Sequence, residues 1–269
     1  TPVYKKGDVN DAKNYRGITL INILAKVYSQ ILLNRLSKWS NKYDNIDNKQ
    51  FRFQKGKSIT DCIFLLHSII SKVLNSGKTI YCIFIHYMLC FDKINRSFLF
   101  QKLLKEHVST KSVNAIKSMY AVVRSCVRYN NHHSDFFESH IGLKQGDPSS
   151  PLLFMFFVND LSLNINTDLD DIFTLNEIKY FLLLYADDQA LFAKSPTALQ
   201  SMINDLVNYC DTWGLTINTQ KTKVMIFEKG RPARHDFYIY NTAIEAVNAF
   251  KYLGINFFKN GSWYRSQKK

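Results

Sequence analysis

Several features are missing from this chain of 269 residues. The five cysteines, Cys62, Cys82, Cys90, Cys126 and Cys210, are scattered, with no CxxC pair and no metal-ligand spacing. That argues against a disulfide framework or a structural zinc site and fits reduced core thiols in an intracellular protein. The N-terminus is polar and carries Lys5, Lys6 and Asp8, so it does not read as a secretory signal. The longest apolar run, Leu152 to Val158, is far too short to span a bilayer. No membrane partner is therefore expected. Neither an internal repeat nor a low-complexity linker is present. The chain opens on Thr1 without an initiator Met, and a fragment of a longer polyprotein or reading frame is expected. Acidic residues are outnumbered: 22 Asp and Glu against 35 Lys and Arg give a formal net charge of +13. Such a balance implies a polyanionic partner, nucleic acid ahead of a membrane surface.

With 46% hydrophobic residues and 14% aromatics, the chain can bury a sizeable core, as one large domain or two subdomains. Residues 1–17 read as a polar, basic loop. From Leu24, the positions Val27, Tyr28, Ile31, Leu32 and Leu36 follow helical spacing, and the helix should end near Trp39. Ser58 with Asp61 three residues on reads as a capping box. The stripe Ile63, Leu66, Ile70, Val73 and Leu74 follows, and Asn75-Ser76-Gly77 stops it. Ile80–Ile85 is a continuous β-prone run, hence a buried strand. Helices are predicted over Ser97–Lys105, Val113–Val123 and Leu152–Leu161, with Val127–His140 a hairpin or irregular loop. Ser195 and Pro196 open a further helix as N-cap and first-turn proline. Val224–Phe227, Phe237–Tyr240 and Tyr252–Phe257 read as short strands. Strands and helices interleave without strict alternation, which predicts an α+β class.

The most informative stretch is Tyr185-Ala186-Asp187-Asp188. It lies between the apolar runs Tyr180–Leu184 and Ala190–Ala193. Apolar strand, acidic tip, apolar strand is the pattern of a hairpin that carries charge at the end of a buried sheet. Adjacent carboxylates there call for a cation, and hard oxygen ligands suit Mg²⁺ or Mn²⁺.

Three further segments stand in order around this pair. They are Gly142-Leu143-Lys144-Gln145-Gly146-Asp147-Pro148, Trp213-Gly214-Leu215-Thr216-Ile217-Asn218 running on to Lys221, and Phe250-Lys251-Tyr252-Leu253-Gly254. With Val3-Tyr4-Lys5-Lys6-Gly7-Asp8 and Asn14-Tyr15-Arg16-Gly17-Ile18 at the start, the chain resembles the reverse transcriptase domain of non-LTR, LINE-type retrotransposons, from residue 1 to about 256. The resemblance implies right-hand polymerase fingers and palm, with an antiparallel palm sheet, helices on one of its faces, and most of the thumb absent. Fingers would take residues 1–78 with 98–138, and palm 79–97 and 139–256; 257–269 would begin a truncated thumb connection. It implies an RNA template, a DNA primer and deoxynucleoside triphosphates as partners. Location would be intracellular, in the nucleus or a cytoplasmic ribonucleoprotein. Oligomeric state is not read.

Nucleotide addition is an in-line displacement assisted by two divalent ions about 3.5–4 Å apart. By resemblance, Asp187 and Asp188 hold Mg²⁺ or Mn²⁺, two ions in an intact relative. Lys221 serves as general acid or charge stabiliser for pyrophosphate. Gln145 and Gly146 line the nucleotide pocket, Phe91 gates against a 2′-hydroxyl, and Tyr252-Leu253-Gly254 forms the primer grip. Two departures stand out. The family's first palm strand ends in Asp, four residues before Phe-Asp; here His86 occupies that Asp position ahead of Phe91-Asp92. Imidazole has no anionic oxygen and favours softer ions than Mg²⁺. Losing such a preorganised group costs on the order of a thousandfold in rate, roughly 4 kcal/mol. The family's Gly-Phe-Arg also becomes Arg52-Phe53-Gln54, placing a neutral amide where a guanidinium would meet the triphosphate; Lys55 or Lys57 would compensate in part. The resulting expectation is a reverse transcriptase fragment impaired in synthesis. A non-catalytic nucleic-acid-binding derivative is the alternative, and an unrelated metal-dependent hydrolase the weaker third.

Overall fold

The computed structural model describes residues 1–54, 56–175, 178–230 and 235–265. Its α-helices are α1 (Ile23–Tyr43), α2 (Ile59–Asn75), α3 (Arg96–Lys105), α4 (Thr110–Tyr120), α5 (Ser150–Val158) and α6 (Pro196–Trp213). The strands that matter below are β1 (Ile80–His86), β2 (Leu182–Tyr185), β3 (Asp188–Ala193), β4 (Lys223–Phe227), β5 (Ala249–Tyr252) and β6 (Ile255–Phe258). The chain divides into two compact units: Thr1–Ile46 with Leu89–Val158, and Asp47–Met88 with Asn159–Lys269.

In the first unit, α5 is apolar all round and buried from Leu152 to Val158, so it forms the core on which α3 packs. A 3-10 turn over Asn159–Asn164 replaces the last part of the helix expected to reach Leu161. The helix α4 starts at Thr110 because Ser109 caps it through the Ser112 N–H, and it ends at Tyr120 rather than Val123. Residues 1–17 are not all loop: Pro2–Tyr4 pairs antiparallel with Tyr15–Gly17, and the Tyr4 and Tyr15 rings meet edge to face. The helix α1 runs four residues past Trp39, to Tyr43, and Asp44 ends it in a left-handed cap. Trp39 packs on both Tyr43 and Phe156, which gives the polar stretch after it a reason to stay helical.

The second unit is built on a four-stranded antiparallel sheet, in the order β2-β3-β1-β4. Both faces are buried: β1 is buried from Ile80 to Ile85 and β3 from Gln189 to Ala193. One face carries Cys82, Phe84, Leu183, Phe192, Met225 and Phe227, packed on Leu66, Ile69 and Ile70 of α2. At roughly 2 kcal/mol per buried side chain, this face is a main source of the unit's stability. The helix α2 has the predicted capping box: Asp61 N–H donates to Ser58 Oγ (3.2 Å), and Ser58 N–H donates to the Asp61 carboxylate (2.7 Å). The helix α6, capped by Ser195 with Pro196 in its first turn, packs against β3 and β1. Tyr252–Phe257 is not one strand but the tight hairpin β5–β6. Tyr252 pairs with Ile255 across a two-residue turn in which Leu253 (φ 48°) and Gly254 (φ 85°) are both left-handed, a geometry that favours glycine. Cys62, Cys82, Cys90 and Cys210 are buried free thiols, and Cys126 is half-buried.

Candidate active site

The acidic pair sits on the β2–β3 hairpin. Tyr185 pairs with Asp188, leaving Ala186 and Asp187 as the turn. Ala186 is buried with φ 55°, a conformation that costs a residue with a Cβ on the order of 1 kcal/mol. It is held by its N–H, which donates to the Gln50 side-chain oxygen (3.3 Å). Gln50 comes from a segment added to the edge of β2: Phe51 N–H donates to Leu184 C=O, and Leu184 N–H to Lys49 C=O. The same Gln50 oxygen accepts from the Arg52 N–H (3.1 Å). One buried glutamine therefore ties Arg52 to the acidic turn. The Arg52 guanidinium lies 3.9 Å from the Asp187 carboxylate and over the rings of Phe53 and Tyr185.

His86 ends β1 in direct register with Asp188. Its Nδ1 is 3.8 Å from Asp188 Oδ1. Its N–H donates to Thr222 Oγ1, and its C=O accepts from the Asn218 N–H. Burial, and then the nearby Lys221 ammonium, hold the imidazole below its ordinary pKa against the opposing pull of Asp187. His86 is accordingly neutral at pH 7. Burial, with Asp187 adding to it and Arg52 opposing, pushes the Asp188 carboxyl up to about 6. Lys221 lies on a turn whose N–H is fixed by Asn218. It lines a cavity of about 350 Å³ with His86, Asp188, Phe84, Tyr252 and Leu253. Leu253 and Gly254 face this cavity, but the Tyr252 side chain is core: its ring packs on Phe84, and its hydroxyl meets the Cys62 sulfur at 3.8 Å.

An Asp ordinarily titrates near 4. With the folded pKa of Asp188 raised, the folded state holds more protons than the unfolded one between about pH 4 and 6, so stability falls as pH rises through that window. Asp188→Asn removes this loss. In chelator-containing buffer, its urea midpoint relative to the wild type should be higher at pH 7 than at pH 4.5. A difference independent of pH would contradict the shift.

Gln54 donates to the Asp47 C=O (3.2 Å), and Lys57 donates to Asn48 and Gln50 carbonyls. Both side chains are engaged within their own loop, and Lys55 lies outside the described residues. Phe91, Gln145 and Gly146 belong to the first unit. There Phe91 stacks on Phe154 at 4.7 Å. Gln145 Nε2 donates to both carboxylate oxygens of Asp92, at 2.8 and 2.9 Å. Gly146 (φ 114°) is required by a close approach: a Cβ there would stand 2.7 Å from the Thr19 carbonyl oxygen. Sequence reasoning singled out neither Arg52 nor Gln50. Their only signal is position, two and four residues ahead of Gln54.

The sequence profile of the reverse transcriptase (RNA-dependent DNA polymerase) family matches residues 3–257. The chain belongs to that family. Its likeness is to non-LTR retrotransposon enzymes. It is 26% identical over 262 residues to the probable RNA-directed DNA polymerase from transposon BS of Drosophila melanogaster, covering 94% of this chain and 28% of that protein. It is 22% identical over 267 residues to the RNA-directed DNA polymerase from mobile element jockey of the same species, covering 94% and 28%. It thus spans about a quarter of the length of the curated relatives it matches. Among solved structures, telomerase from Candida albicans superposes with a TM-score of 0.60 at 14% identity, covering 91% of this chain and 38% of that one. Apo telomerase from Candida tropicalis gives 0.57 at 13%, covering 90% and 45%. The α+β fold of a right-hand reverse transcriptase is the shared feature.

Reverse transcriptases use divalent metal ions. The donors on the second unit do not fit a pair of them. His86 sets a neutral imidazole beside Asp188, and Arg52 already brings a positive charge to Asp187, so the tip offers two carboxylates with one of them partly offset. Among the described residues, no group of three or more His, Cys, Asp or Glu side chains is arranged to hold a metal. No helix among them is long and apolar enough to cross a membrane.

Proposed function

We propose that this chain is the fingers and palm of a non-LTR retrotransposon reverse transcriptase that keeps the fold and is weak or inactive in DNA synthesis. The observation that carries the reading is His86 in register with Asp188. An intact enzyme of this type would copy an RNA template from a DNA primer with deoxynucleoside triphosphates, using two Mg²⁺ or Mn²⁺ ions. In this chain Asp187 and Asp188 are the remaining carboxylates for that role. Lys221, on the cavity shared with Asp188, would stabilise the leaving pyrophosphate. Phe91 would screen the sugar, Gln145 and Gly146 would shape the nucleotide pocket, and Leu253-Gly254 would meet the primer. Tyr252 would support that turn from the core. The proposed division keeps residues 1–78 and 98–138 as fingers, and 79–97 and 139–256 as palm.

A second reading has support of its own. The net charge of +13, combined with an incomplete carboxylate set, suits a protein that binds nucleic acid without extending it. Primer extension on an RNA template separates the two when run beside salt-titrated binding. Binding with a steep salt slope and no product, even after His86→Asp, favours the second. Extension gained on that reversion favours the first.

A further inference from the structure

The segment between Val122 and Lys144 forms a ladder of very short strands with little buried face of its own. Arg124–Ser125 pairs with Phe137–Glu138, and Arg128–Tyr129 with His132–His133. The turn Asn130-Asn131 is left-handed at both residues (φ 45° and 63°), as a two-residue hairpin requires. Two-residue strands do not hold a hairpin by themselves. Its base is held instead by Arg96 of α3, whose guanidinium donates to the carbonyls of Ser139, Ile141 and Gly142 at 2.6–2.9 Å. Arg96 is thereby committed to structure. The rest of the hairpin projects an unusual surface: Phe136 is 72% exposed, Tyr129 58% and Phe137 50%. The same segment carries Arg124, Arg128, His132, His133 and His140, against Asp135 and Glu138. An ion pair that offsets them, Arg124 with Glu138 at 3.5 Å, is largely solvent-exposed and therefore weak. Phe136, Phe137, Arg124, Arg128 and His133 line a cleft of about 680 Å³ in the first unit.

Exposed aromatic rings sharing a cleft with arginines fit one ligand chemistry well: unpaired bases joined by phosphates. The rings offer stacking platforms that accept any base, and the guanidiniums meet the backbone. A protein partner would also use aromatics and Arg. The excess of cationic and protonatable groups over acids on this hairpin, in a chain of net charge +13, favours the polyanion. We infer that the Arg124–Glu138 hairpin is a single-stranded nucleic-acid contact that tolerates any sequence. The contact does not depend on synthesis, so its test does not use synthesis.

The test is fluorescence anisotropy with labelled 20-nucleotide oligo-U and oligo-dT, titrated with the full chain from about 50 to 250 mM salt. Arg124→Ala with Arg128→Ala should weaken binding roughly tenfold and lower the salt slope by about 1.4, two phosphate contacts on a single strand. Phe136→Ala with Phe137→Ala should weaken binding at least tenfold and leave the slope unchanged. Equal losses on both probes mark a general single-strand contact; a larger loss on oligo-U marks RNA. Hydrogen exchange of the wild-type chain, with and without oligonucleotide, guards against variants that misfold, and residues 122–141 should gain protection. Wild-type affinity in both folded double variants would overturn the inference. So would binding that leaves 122–141 unprotected, which would give this surface to a protein partner.

Discussion

Replacing His86 with Asp and Arg52 with Ala together should tighten Mn²⁺ binding by more than about a hundredfold. The wild-type tip presents two carboxylates, a guanidinium 3.9 Å from one of them and a neutral imidazole 3.8 Å from the other. Its net charge toward an incoming dication is about one negative unit; the double variant presents three. Even at the dielectric constant of water, a unit charge about 5 Å from a dication is worth about 1.7 kcal/mol, so the two changes together contribute roughly 3 kcal/mol. Each single variant should recover about half of that free energy. Arg52 matters because its approach is built in: Gln50 holds both its N–H and that of Ala186. The loop thus turns the Arg52 guanidinium onto Asp187. Mn²⁺ titration followed by electron paramagnetic resonance reads this directly. Micromolar binding by the unaltered chain, unchanged in the double variant, would show that Arg52 and His86 do not govern cation affinity.

Phe192→Ala should destabilise the second unit by about 3–5 kcal/mol. Phe192 is fully buried on β3, four residues from Asp188, and its ring meets Phe173 at 5.7 Å. It packs in the face shared by β1, β2, β4 and α2, so a cavity there has no flexible neighbour to close it. Because the chain has two units, the informative quantity is the shift of the transition that reports this sheet, followed by hydrogen exchange of β1 and β3 in urea. An exposed aromatic such as Phe136, changed to Ala, should leave that transition within about 0.5 kcal/mol. A Phe192→Ala loss no larger than that would mean the sheet is not the cooperative core described above.

Much of this architecture is legible in the sequence where its signals are local. The capping box at Ser58 and Asp61, the proline after Ser195, the unbroken run Ile80–Ile85 and the acidic hairpin each follow from neighbouring residues. What local pattern misses depends on contacts across the chain. The helix α1 outruns its apolar signal because Trp39 finds Phe156. The turn Leu253-Gly254 looks like the middle of a strand, since a leucine seldom takes positive φ. Gln50 and Arg52 reach the acidic turn only because residues 49–51 pair with β2, some 130 positions later, and nothing near Arg52 announces that pairing. The register of His86 with Asp188 joins two positions far apart in the chain, and only the folded sheet brings them together.

The most direct measurement is primer extension on an RNA template with Mg²⁺, comparing the unaltered chain with His86→Asp at matched template binding. An incomplete carboxylate set predicts little or no product from the unaltered chain and a gain on the order of a thousandfold on reversion, roughly 4 kcal/mol of transition-state stabilisation. Robust synthesis by the unaltered chain, with no gain from the added carboxylate, would contradict the account.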